Sequence, residues 1–150
     1  MSKKTVVAIA ILILSPLIIY LVWPSDESRI KKLFREGAKA VESKKIADVM
    51  SKVSFNYADE HGLSYITLKQ GLEKVFGRMS RIEVEYELRR LEIKGEGAVA
   101  ELDIRIIASY GKDRGYVLGD AARPEHLIFS LDKERTKWLV RRTEGLTVGF

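Results

Sequence analysis

Cysteine is absent from this chain, and proline and histidine are scarce, with three and two copies in 150 residues. Without cysteine there is no disulfide, no thiolate metal site, no cysteine nucleophile and no lipid-modified N-terminal cysteine. The absence is compatible with either redox compartment. The two histidines, His61 and His126, come from opposite ends of the folded part, so neither a metal site nor a cofactor is expected. Gly111, Gly115 and Gly119 recur every four residues but precede no Lys-Ser/Thr and open no helix, which excludes a phosphate loop.

Charge is missing altogether from Thr5 to Trp23, between Lys3-Lys4 and Pro24-Ser25-Asp26-Glu27. That length matches one helical crossing of a bilayer core, about 20 residues. A cleaved signal peptide has a shorter apolar region and ends on small residues. Here the run ends on Tyr20, Leu21, Val22 and Trp23, and the two aromatics suit the headgroup interface. The expectation is a retained transmembrane anchor over residues 1–24 and one domain over 25–150, in a cell (inner) membrane. Lys3 and Lys4 favour a cytoplasmic N-terminus and a periplasmic domain, against the pull of Arg29, Lys31, Lys32, Arg35 and Lys39. The domain has 24 basic and 21 acidic residues, a net of +3, too mild a charge to imply nucleic acid.

Within the domain, Ser25 caps a helix over 26–43 whose apolar face is Ile30, Leu33, Phe34, Gly37, Ala38 and Val41. Ile46, Val49, Met50 and Val53 make a second, shorter helix. Thr67 and Gln70 form a capping box that opens a third, with Leu68, Leu72, Val75, Phe76 and Met79 on its face. From Arg81 the period switches to two: Ile82, Val84, Tyr86 and Leu88 alternate with charges, then the parity shifts to Leu91 and Ile93. That shift predicts a bulge at Arg89-Arg90. Lys94–Gly97 reads as a turn and Ala98–Tyr110 as a long strand. Residues 111–124 read as a polar connection. His126–Leu131 and Trp138–Thr147 read as a final hairpin closed across Asp132–Lys137. Three helices followed by about four antiparallel strands give an α+β arrangement with the helices on one face of a curved sheet.

These features resemble the nuclear transport factor 2-like superfamily, the α+β cone. The likeness covers 26 to about 148 and is carried by the helical pair, Tyr57-Ala58-Asp59-Glu60-His61-Gly62-Leu63-Ser64, the Gly95-Glu96-Gly97-Ala98-Val99 turn and Lys137-Trp138-Leu139-Val140. The resemblance implies a curved sheet wrapped on a long helix around a cavity. It also implies either an isomerase, cyclase or dehydratase for small apolar substrates or a non-catalytic binding or assembly module, and fold alone does not choose between them.

Tyr57, Asp59 and His61 are the cast for proton transfer beside a carbonyl; turn-making by Asp59 with a solvated His61 is the favoured alternative. Tyr86, Tyr110, Tyr116 and His126 are candidates for lining an apolar pocket. Lys31, Lys32, Arg35 and Lys39 form a basic stripe placed to meet a lipid bilayer surface. The expected role is a membrane-anchored, non-catalytic module with an apolar ligand or a protein partner, and the sheet admits a homodimer.

Overall fold

The computed structural model describes residues 2–147. Helix α1, Lys3–Val22, is capped by Ser2, contains Pro16 and has no buried residue. Its mean hydropathy reaches 2.8, and its length and composition suit a membrane crossing or a signal sequence alike. Pro16 cannot donate to the carbonyl of Leu12, and the Ser15 hydroxyl approaches that orphaned oxygen at 3.5 Å.

Helix α2, Asp26–Glu42, begins at Ser25, whose side chain accepts the Ser28 amide at 3.2 Å. Asp26 and Glu27 sit favourably against its N-terminal dipole. Its apolar stripe buries Ile30 and Leu33 against the sheet. Helix α3, Ile46–Met50, folds back on it. Helix α4, Tyr65–Phe76, starts three residues earlier than the Thr67–Gln70 reading required. Ser64 is the cap: its backbone amide donates to Thr67 Oγ1 at 2.7 Å and its hydroxyl accepts the Thr67 amide at 3.4 Å, so a threonine fills the place of the usual Glu or Gln.

The sheet has five antiparallel strands rather than about four: β1 Arg81–Lys94, β2 Gly97–Tyr110, β3 Asp113–Leu118, β4 Glu125–Glu134 and β5 Lys137–Glu144. The register of β1 against β2 shifts between Leu88 and Arg90, at the predicted bulge. One side of β2 is paired by β1 throughout, and the other is shared, with β4 opposite its first half and β3 opposite its second. The polar connection expected at 111–124 therefore contains a strand. The chain returns from β3 through Gly119, with φ +69; a Cβ there would lie 3.1–3.2 Å from the Glu125 amide and the Arg123 and Ile104 carbonyls, so glycine is required. The last hairpin is also tighter than expected, since Lys137 pairs Glu134 and only Arg135-Thr136 turn.

All helices of the domain cover the face carrying Ala100, Leu102, Leu131 and Val140. Trp138 joins this core near the N-terminal end of α2, and a second cluster of Phe76, Met79, Ile82 and Ala108 closes the far end.

Candidate functional site

Between α2, α3, α4 and the sheet lies a cavity of about 270 Å³. Phe34 and Phe129 meet edge-on across its wall with centroids 5.3 Å apart, and Leu68, Leu72, Ile104 and Leu118 continue the apolar lining. Gly37 borders it from the middle of α2, and nothing lies within 4 Å of where its Cβ would be. A mid-helix glycine costs about 0.8–1.0 kcal/mol relative to alanine. No close packing demands it here; the missing side chain leaves room in the cavity.

Few polar groups reach this space. The Lys52 ammonium is drawn to Glu36 Oε2 at 2.8 Å. Tyr57 and Thr143 are buried in the wall. The Tyr57 hydroxyl donates to Asp59 Oδ2 at 3.0 Å. Burial first, and then the Asp59 carboxylate, push the Tyr57 phenol up to about 12, with Thr143 opposing, so the group stays a neutral donor. Asp59 Oδ1 accepts the amides of His61 and Leu63 at 2.9 and 3.0 Å, which closes the loop as an Asx turn. Both carboxylate oxygens are thus committed, and Asp59 lies behind Tyr57 rather than among the lining residues. His61 points elsewhere: its Nε2 lies 2.9 Å from the Leu146 carbonyl on the exposed side. The structure brings Tyr57 and Asp59 together and leaves the His61 ring out.

Of the residues expected to line a pocket, Tyr86 does. Tyr110 and Tyr116 are exposed, at the end of β2 and opposite Ile107 on β3, and neither lines the cavity. His126 is on the outer face. It pairs with Asp103 across β2 and β4, and because Leu102 and Leu127 point inward, their neighbours point out. There His126 Nδ1 lies 2.8 Å from Asp103 Oδ1 and Nε2 lies 3.6 Å from Glu101 Oε1. The Asp103 hydrogen bond foremost raises the imidazole above its ordinary value. Among the described residues no group of three or more His, Asp or Glu is arranged to hold a metal ion.

The basic stripe of α2 is partly neutralised. Lys31 pairs with Glu27 at 2.6 Å and Lys32 with Glu36 at 3.7 Å, while Arg35 and Lys39 are exposed. Sequence reasoning missed Thr143 and the space-making role of Gly37. The latter had a signal: a glycine at a core-facing helical position among Phe34, Ala38 and Val41.

Neither a protein-family model nor a curated protein sequence matches the chain. Solved structures do. A Nostoc punctiforme protein of unknown function with a cystatin-like fold superposes with a TM-score of 0.61 at 12% identity, over 79% of this chain and 87% of that one. The fold is cystatin-like, an α+β cone. A Novosphingobium aromaticivorans protein with a provisional assignment as a scytalone dehydratase matches with a TM-score of 0.65 at 12% identity, over 81% and 87% of the two chains. A Bdellovibrio bacteriovorus protein matches with 0.62 at 10% identity; 80% of this chain is covered, but only 40% of that longer one. Identities this low establish a shared cone and nothing of its chemistry.

Proposed function

We propose that the chain is a membrane-tethered, non-catalytic module that holds a small apolar ligand in its cone cavity. The observation that carries this reading is the open apolar space beside Gly37, with no carboxylate among the described residues that line it and Asp59 already spent on a turn and a tyrosine. An apolar cavity of this size favours ligands recognised by shape and burial, each buried methylene contributing about 0.8 kcal/mol. Helix α1 is read as the retained anchor because its apolar run is long and ends in bulky residues, and Lys3-Lys4 favour the domain on the extracytoplasmic side.

A second reading, an isomerase, cyclase or dehydratase, draws on one observation: the Tyr57 hydroxyl at the cavity wall is bonded to Asp59. The dehydratase assignment of one fold neighbour is consistent with it.

Binding of the neutral fluorophore N-phenyl-1-naphthylamine to residues 25–150 tests the proposal. Saturable binding is expected, and Gly37→Phe should weaken it by roughly tenfold or more, since it removes most of the room for the ligand. The variant should melt no lower than the parent, because it relieves a helix glycine. Unsaturable signal, or equal binding by both proteins, would count against a ligand cavity.

A further inference from the structure

Where α1 meets the domain, Ile19, Tyr20 and Trp23 form one wall of an open cleft of about 660 Å³, and Arg29 and Lys133 stand on the other. The cleft is apolar on the anchor side and cationic on the domain side. The Arg29 guanidinium carbon lies 5.6 Å from the centre of the Trp23 ring. Arg29 Nη1 donates to the Thr136 carbonyl at 3.1 Å, which uses one of its five N–H groups. Lys133 Nζ donates to Asp26 Oδ1 at 3.0 Å, and Trp138 Nε1 donates to the same oxygen at 3.0 Å. Asp26 lines the cleft as well and is bonded to Lys133 with Arg29 nearby, so among the described residues the domain side carries two cations against one carboxylate, and Arg29 makes no hydrogen bond to that carboxylate.

We infer that this cleft binds the phosphate of an anionic phospholipid, with Arg29 as the specific contact and the acyl chains along Ile19 and Tyr20. The inference rests on the membrane reading of α1. Trp23 and Tyr20 are interfacial residues, so the cleft lies at headgroup depth. A guanidinium presents paired donors to phosphate oxygens in a way a lysine does not. The stripe on α2 is the weaker contender, because Lys31 already faces Glu27 and none of Lys31, Lys32, Arg35 and Lys39 lines this cleft with its apolar wall.

The test uses the full chain in vesicles of phosphatidylcholine mixed with phosphatidylglycerol, one or the other carrying bromine on its acyl chains. Bromine quenches the cleft tryptophan, Trp23, in proportion to the lipid resident beside it, while the buried Trp138 supplies a constant background. Brominated phosphatidylglycerol is expected to win by roughly fivefold over the choline lipid, the selectivity of one surface charge. Arg29→Gln should bring the ratio to about one, and Lys32→Gln should leave it unchanged. A ratio near one in the parent protein, or equal losses in both variants, would overturn the site. Loss of the preference on adding inorganic phosphate would assign the cleft to a free anion instead of a lipid. Flotation of the same samples separates the two claims: protein that does not float with vesicles refutes the anchor, and the inference falls with it, whereas protein that floats without lipid preference refutes the cleft alone.

Discussion

Replacing Trp138 by alanine is expected to cost the domain about 3–5 kcal/mol, the range of large aromatic truncations in a core. The ring is 4% exposed and belongs to the cluster that includes Ile30, Leu33 and Leu131, where the last strand meets α2. Its Nε1 also holds Asp26 at the first turn of that helix. A loss of this size is about a fifth or more of the stability of an ordinary domain, about 5–15 kcal/mol. A urea melt of residues 25–150 measures it; a change under ~1 kcal/mol would place the ring at the surface. Trp138→Phe separates packing from hydrogen bonding. The Trp138 hydrogen bond, and then Lys133, hold the Asp26 carboxyl below its usual range. A carboxyl with a lowered folded pKa contributes stability above its unfolded value, about 3.9, and loses it as pH falls through the folded one. The phenylalanine variant should therefore be less stable than the parent above about pH 4, with the gap closing as pH falls below it, while keeping most of the packing.

Asp59→Ala is expected to be nearly as damaging, at roughly 2–4 kcal/mol, because it strands the His61 and Leu63 amides and the Tyr57 hydroxyl. Asp59→Asn should cost only about 1 kcal/mol. Its carbonyl oxygen can still accept both amides, and the Tyr57 hydroxyl can turn to accept from the new NH₂. This pair divides a structural carboxylate from a catalytic one. A binding module keeps its cellular role in the folded asparagine variant. An enzyme using Asp59 as its base loses about a hundredfold or more.

Much of the fold was legible in the sequence where burial imposes a period. Ser25 and the spacing of Ile30, Leu33 and Phe34 marked α2, and the parity shift after Leu88 marked the bulge of β1. Strand β3 was illegible for the complementary reason. Asp113, Arg114, Gly115 and Tyr116 are all exposed, so backbone pairing with β2 creates the strand without leaving a hydrophobic alternation. The outward placement of His126 was readable from the inward alternation of Leu127, Phe129 and Leu131. The cavity was harder to see, because a void has no residue of its own. It arises from the distance at which α2 and α4 stand off the sheet, and only Gly37 signals it locally.

On the proposed reading, an apolar ligand occupies the cone of a chain that still carries α1. Native mass spectrometry of the full chain, extracted from cells with detergent, reads both parts at once. The account predicts an intact chain that still contains Lys3–Val22 and carries an apolar adduct, retained in Arg29→Gln and lost in Gly37→Phe. A chain beginning near Ser25, or an apolar adduct that survives both Arg29→Gln and Gly37→Phe, would contradict it.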